Sequence, residues 1–389
     1  MLQGNMLVAH GGGPTPVINS SLLGAVMEAK KHSEIQKIYG ARFGAEGILT
    51  GDLMDLGQYS EETLALLART PASALGSCRR KLTDADYPAV LECFKKFNIR
   101  FFFYNGGNDS MDTCHKIYQL ACKMGYELHV IGIPKTIDND LVGTDHCPGF
   151  GSAAKFAAMS ALEIAFDASA LPIHVVVLEL MGRNAGWLTA AASVFREQMP
   201  CELLVYLPEC DFNKEQFLQD VQTAFAKGRG LLVAVSEGIH YADGSPVADS
   251  GIVDGFGHKV PGGAAQALSN MILTQTPLKS RSEKPGLLGR VSVELMSEVD
   301  QKEAQEAGAF AVKSAVAGQS GFMVGFRTTR QPEYVTELCL IPLEQVANAE
   351  KKFPMEWINE AGNGILPAFT DYCLPLLGEI NTSFANLRG

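Results

Sequence analysis

The segment PKTIDND (134–140) sets Lys135, Thr136, Asp138 and Asp140 within six residues. In a strand-like conformation 136, 138 and 140 share one face. One carboxylate there could take a proton from a hydroxyl while the other helps hold Mg2+. Lys135 could neutralise a phosphoryl group in transit. An Asx-rich turn after Pro134 accounts for the same residues without chemistry. Two glycine loops lie elsewhere. GGGPTPVINS (11–20) carries Gly12 and Gly13, and NGGNDSMDT (105–113) carries Gly107, Asn108, Asp109 and Ser110. Glycine lets backbone approach a ligand, and N–H groups opening a helix favour anions. Asn108 or Asp109 could reach a metal ion. Simple capping, with Ser110 as the N-cap, is the alternative. ELMGRNAGWLT (179–189) offers Met181, Gly182 and Arg183. That guanidinium forks onto phosphate or an oxyanion, or pairs with a surface acid. Glu237, in SEGI (236–239), could grip a sugar hydroxyl, while Arg79, Arg80 and Lys81 in GSCRRK (76–81) read alone as a solvated face.

Together these are parts for phosphoryl transfer, which needs mostly positioning and electrostatics. There is no Walker A motif and no kinase H-R-D or D-F-G set, and the eight His show no metal-ligand spacing.

The segments follow apolar runs that must position them. Strands are predicted at 5–10, 35–41, 100–105, 128–134, 173–180, 202–207 and 230–236. Helices are predicted from Asn19 to about Lys31, from the second glycine loop to Met124, and at 152–168, 186–197 and 213–227. This alternation makes an α/β protein with mostly parallel sheets covered by helices on both faces. Ligands bind beyond the carboxyl ends of such strands, where the chemical segments fall. The Gly-, Pro- and Ser-rich stretches 241–262 and 275–286 read as surface loops.

The chain has 389 residues, enough for two or three domains, and 47% hydrophobic residues, the composition of a packed globular protein. Its net charge of −11, with no Lys/Arg block, speaks against nucleic-acid or anionic-membrane partners. No apolar run reaches membrane-helix length, and the first residues lack a signal peptide's basic and apolar regions. The nine Cys are scattered without C-x-x-C, which suits a reducing cytoplasm, and all nine read as small buried hydrophobes.

In this order the loops resemble the phosphofructokinase A family, and within it the pyrophosphate-dependent type. The likeness runs from GGGPTPVIN to about Arg327; the tail 331–389 carries no assignable motif. The resemblance implies two Rossmann-like three-layer domains with the active site in the cleft between them. It implies a donor domain of 1–148 plus 288–327 and a sugar-phosphate domain of 149–287 plus 328–389. It puts Gly12, Gly13, Arg79, Gly107, Asp109, Ser110 and Lys135 at the pyrophosphate. Asp138 becomes the base for the C1 hydroxyl of fructose 6-phosphate, and Thr136 and Ile137 bind that substrate. Met181, Gly182, Arg183 and Glu237 bind the sugar, with Arg183 also stabilising the transition state. Asn108 and Asp140 serve Mg2+. ATP-using relatives have glycine where Asp109 and Lys135 stand. A carboxylate would repel a nucleotide's α-phosphate, and the ammonium would complement a donor with no nucleotide attached. The expected reaction is reversible, in glycolysis or gluconeogenesis, by a homodimer or homotetramer.

The sequence departs from the family pattern at three places. Asn108 replaces the usual metal aspartate. His174 replaces an arginine that reaches a neighbouring subunit's substrate. LGRVSV (288–293) lacks the Gln-Arg pair, leaving Lys284 and Arg290 to hold a phosphate. These departures keep open another acceptor, such as sedoheptulose 7-phosphate or a polyol, and a non-catalytic regulatory subunit.

Overall fold

The computed structural model describes residues 2–171, 173–253, 259–347 and 349–385. Its strands are β1 (Gly4–His10), β2 (Ile35–Ala41), β3 (Leu53–Asp55), β4 (Ile99–Gly106), β5 (His129–Pro134), β6 (Val175–Leu180) and β7 (Glu202–Tyr206). They continue as β8 (Leu231–Ser236), β9 (Asp249–Val253), β10 (Lys259–Pro261), β11 (Ser280–Glu283), β12 (Phe322–Thr329) and β13 (Val335–Pro342). The chain forms two compact units, 1–153 with 290–351 and 154–289 with 352–389.

The first unit is built on a seven-stranded sheet ordered β13-β12-β5-β4-β1-β2-β3. Its inner strands pair in parallel, and β13 and β3 are antiparallel edges. The run RFFFYN shows why β4 sits in the middle. Phe101 and Phe103 enter one apolar layer with Leu22, Val26 and Val312, while Phe102 and Tyr104 enter the opposite layer with Phe94, Met111 and Ile117. Successive side chains point to opposite faces, so a strand covered by helices on both sides must be apolar throughout. β1 repeats the pattern, Met6 and Val8 to one side and Leu7 and Ala9 to the other. Helices Ile18–Ala29 and Glu298–Val316 cover one face, and Tyr87–Lys96 and Asn108–Lys123 the other.

The second unit carries an all-parallel sheet ordered β11-β6-β8-β7. β6 and β8 are wholly buried. Helices Lys214–Phe225 and Ala264–Gln275 share an apolar cluster with them around Phe217, Val233 and Leu268.

Several expectations are corrected. Residues 328–351 belong to the first unit, because β13 hydrogen-bonds along β12 from Phe322–Pro342 to Thr329–Val335. The stretch 275–286 contains β11, whose polar residues suit an edge position and gave no apolar signal. The stretch 241–262 contains the β9–β10 pair, with 254–258 outside the described residues. The helix expected at 186–197 is only Trp187–Ala190, followed by short 3-10 turns. Residues 185–195 are all buried, so packing rather than amphipathic periodicity sets that backbone. All nine Cys are free, but Cys122 is exposed and only four are fully buried. No described helix is long and apolar enough to cross a membrane.

Candidate active site

In the first unit the strand ends β1, β4 and β5 deliver three loops. Gly11 N–H donates to Asn105 O (2.9 Å) and Gly12 N–H to Cys78 O (3.0 Å), tying the first glycine loop to the second and to GSCRRK. Ser77 Oγ donates to Gly12 O at 2.6 Å. Gly12 has φ +76°, a left-handed conformation in which other side chains are strained. The helix after the second glycine loop begins at Asn108 with Gly107 at its N-cap, so Ser110 lies inside the first turn and does not cap. A methyl group on Gly106 would lie 2.0 Å from Ser110 Oγ, so the glycine makes room for that hydroxyl.

Lys135 is 4% exposed, and its Nζ donates to Gly13 O at 2.6 Å. Burial pushes its ammonium down to about 8; Arg290 and Arg79 add to the effect, while Asp138 and Asp140 oppose it. Arg290 Nη1 stands 2.8 Å from where a Cβ on Gly13 would be. Lys135 and Arg290 therefore meet at one glycine cradle, with Arg79 next in sequence to Cys78, whose carbonyl holds Gly12, an arrangement that accepts a polyanion. Of the neighbouring bases, Arg80 pairs with Asp86 (2.7 Å) and Lys81 with Asp109 (3.4 Å). The Asp109 side chain is 85% exposed, so that pair is weak.

PKTIDND is not a strand. β5 stops at Pro134, Asp138 N–H turns back to Thr136 Oγ1 (3.1 Å), and Asn139 adopts φ +54°. The shared-face expectation for 136, 138 and 140 fails for this reason. The turn still unites them: Thr136 Oγ1 donates to Asp140 Oδ1 (3.0 Å), and Asn108 Nδ2 donates to Asp140 Oδ2 (2.8 Å). Burial raises the Asp140 carboxyl. Asn108 Oδ1 is buried without a hydrogen-bond partner, an oxygen oriented by its own amide and left available. Ile137 is buried and Asp138 half-buried. Among the described residues no group of three or more His, Cys, Asp or Glu forms a metal centre.

In the second unit, β6 and β8 end side by side. Gly182 takes φ +138°, and its carbonyl accepts a hydrogen bond from Ser236 Oγ. Met181 is half-buried and Arg183 exposed. Glu237 N–H donates to Leu180 O at 3.1 Å, which brings Glu237 to the Met181–Arg183 loop. Burial, then the Glu179 carboxylate, raise Glu237; Lys284 and Arg183 pull it down. Lys284 pairs with buried Glu179 at 2.5 Å, and Glu179 also accepts Ala265 N–H at 3.0 Å. Lys284 and Arg290, read together from the sequence as a substitute for the missing Gln-Arg, thus have separate surroundings, the first beside Glu179 and the second beside Gly13. His174 adopts φ +73°, and its Nδ1 accepts Lys279 N–H at 3.1 Å.

Sequence reasoning missed the supports of the 138–147 loop. His146 is buried between Asp145 (3.0 Å) and Glu303 (2.7 Å), and Arg330 forks onto Asp145 (2.6 and 2.9 Å). Lys351 bonds three carbonyls of the same loop. Their partners lie up to 211 positions apart (Asp140 and Lys351), so no local spacing could signal them.

The family model described as phosphofructokinase matches residues 5–315. The chain belongs to the phosphofructokinase family. A relative from Halomonas elongata, named pyrophosphate–fructose 6-phosphate 1-phosphotransferase, is 41% identical over 99% of this chain and 95% of its own. A sulfofructose kinase from Alkalicoccus urumqiensis is 34% identical over 91% of each chain. The crystal structure of a pyrophosphate-dependent phosphofructokinase from Nitrosospira multiformis matches with TM-score 0.89 and 37% identity, covering 99% of this chain and 94% of that one.

Proposed function

We propose that this enzyme transfers a phosphoryl group from pyrophosphate to the C1 hydroxyl of fructose 6-phosphate, giving phosphate and fructose 1,6-bisphosphate. The observation that carries the donor assignment is the buried Lys135 ammonium at the glycine cradle, 2.6 Å from Gly13 O. It suits a compact polyanion, and the exposed Asp109 carboxylate opposes a donor that continues into a nucleotide. The relatives named above, apart from the sulfofructose kinase, are named for the same donor.

In this reading Gly12, Gly13, Gly107, Ser110, Arg79 and Lys135 hold pyrophosphate. Asp138 accepts the C1 proton as that oxygen bonds to the near phosphorus. The bond to the bridging oxygen breaks, and phosphate leaves. Lys135 and Arg183 neutralise the spreading charge. Thr136, Ile137, Met181, Gly182 and Glu237 hold the sugar. Asn108 Oδ1 and Asp140 are the hard oxygens that would hold Mg2+. When bound, Mg2+ would withdraw charge from the phosphate oxygens. Exchanging a phosphoanhydride for an ester leaves the reaction open in both directions. Nine free Cys fit a cytoplasmic enzyme, and a homodimer or homotetramer is the expected assembly.

A second reading changes the acceptor only. Lys284 is already paired with Glu179, so the far anion of the sugar meets a different cation set from the family's Gln-Arg. A sulfonate-bearing or longer ketose phosphate then becomes the competitor. The test is initial rates with pyrophosphate and Mg2+ across fructose 6-phosphate, sedoheptulose 7-phosphate, 6-deoxy-6-sulfofructose and an unphosphorylated polyol. Highest kcat/KM with fructose 6-phosphate supports the first reading. Preference for another acceptor replaces it. No turnover with any acceptor, and none with ATP, turns the account to a sugar-phosphate-binding regulator.

A further inference from the structure

The loop from Asp138 to Cys147 has no regular secondary structure. Ten residues of irregular backbone cannot hold a carboxylate to a fraction of an ångström by themselves. Local bonds help at the ends: Asp138 N–H to Thr136 Oγ1, and Cys147 N–H to Asn139 Oδ1 (3.0 Å). The middle is held from far along the chain. Lys351 N–H donates to Asp140 O at 2.7 Å, while its Nζ donates to Asp145 O at 2.7 Å and Thr144 O at 3.3 Å. One residue thus bonds both halves of the loop, and its innermost bond lies two residues from Asp138.

We infer that Lys351 is a positioning residue for the reaction, holding the 138–147 loop so that Asp138 meets the acceptor hydroxyl. The inference rests on the proposed role of Asp138. Lys351 is well suited to this task. Its ammonium donates to main-chain carbonyls, so it fixes backbone directly rather than through another side chain's rotamer. Partial burial keeps water from competing for those carbonyls. Glu303, Arg330 and His146 brace the far end of the loop, at Asp145 and His146. The Lys351 main-chain N–H reaches Asp140 O, and its ammonium, bonded to Thr144 O and Asp145 O, anchors that main-chain segment against the loop, so removing the ammonium loosens the bond beside Asp138.

The test compares Lys351→Met, Lys351→Arg and the surface control Lys302→Met in the full chain. Lys302 is exposed and pairs only loosely with Glu306 at 3.9 Å. Two readouts are needed: kcat and KM for both substrates, and amide hydrogen exchange by peptide. A misplacement near 1 Å costs roughly 10²-fold in rate. Lys351→Met should therefore lose about 10- to 100-fold in kcat with both KM values within about threefold. Exchange should rise in peptides spanning 136–147 and stay unchanged elsewhere. Lys351→Arg keeps the charge and donors and should recover most of the lost kcat. Lys302→Met should match the parent protein. Lys351→Met with kcat within twofold overturns the inference. So does lost kcat without faster exchange in 136–147, or faster exchange throughout the unit, which marks a merely structural lysine. If the parent protein prefers another acceptor, the proposed function fails, but the same kcat comparison on that acceptor still decides Lys351. If no acceptor reacts, unchanged exchange in 136–147 overturns the inference alone.

Discussion

Replacing Lys135 probes the donor site through its pH dependence. Burial holds this ammonium near 8, far below its ordinary 10.5. The free enzyme is then roughly 90% protonated here at pH 7 and about 3% at pH 9.5. Pyrophosphate binding favours the charged form, so the limb belongs to kcat/KM for pyrophosphate, which reports the enzyme form that pyrophosphate meets. Losing one preorganised donor at a transferring group costs about 10²- to 10³-fold. Lys135→Met, which keeps an unbranched chain in the buried slot, should fall by that factor at pH 7. Its deficit should shrink about thirtyfold by pH 9.5, because the parent protein has by then lost most of its own charge. Lys135→Arg keeps a cation that does not titrate and should lack the limb altogether. The assay is initial rate against pyrophosphate at saturating fructose 6-phosphate, from pH 6.5 to 9.5. A limb of equal size in all three proteins would belong to pyrophosphate itself and refute the reasoning. A Lys135→Met deficit that stays constant with pH would refute it too.

Asp138→Asn should lower kcat by about 10²–10⁴-fold with little change in either KM, the signature of a lost general base; near-normal kcat in steady-state assays removes Asp138 from the mechanism. Asp109→Gly combined with Lys135→Gly should admit ATP as donor, and a double variant with no ATP turnover ends the steric and electrostatic account of donor choice. Glu303→Gln should lower stability by about 3–5 kcal/mol in urea melts, since it leaves His146 buried against one carboxylate instead of two. Burial alone would lower His146, but its hydrogen bonds to Asp145 and Glu303 outweigh burial and raise it. That stabilisation is complete below the ordinary histidine value and fades as pH rises through the raised one. Burial would raise Asp145 and Glu303, yet their partners lower both, so their contribution fades as pH falls through the acid range. The parent protein should therefore be most stable between those limits, and Glu303→Gln should flatten the alkaline side.

Some of this was legible in the sequence for clear physical reasons. β4 and β1 announce themselves because strands buried on both faces must be apolar at every position, as Phe101 to Tyr104 are. The glycine loops and Met181–Arg183 sit directly after such strands, so locating the strands located them. Other features carried no such signal. β11 is polar because it is an edge, and β13 is exposed or half-buried at every position but Ile341, so both read as loop or tail. PKTIDND contains the right residues, but a threonine hydroxyl and a left-handed Asn139 bring them together instead of a pleat. Asn108 looked like a weakened metal ligand, whereas its amide spends its N–H on Asp140 and leaves its oxygen unbonded. The role of Lys351 depends on carbonyls, which every residue has, so nothing in its own neighbourhood could point to them.

The central claim is the pairing of donor and acceptor, and one 31P NMR time course tests it directly. Enzyme, Mg2+, pyrophosphate and fructose 6-phosphate are mixed without nucleotide. The account expects the pyrophosphate signal to decline as inorganic phosphate and a new C1 phosphate ester appear in equal amounts, stopping short of completion. Pyrophosphate that persists unchanged, or that becomes two phosphates with no ester formed, would contradict it.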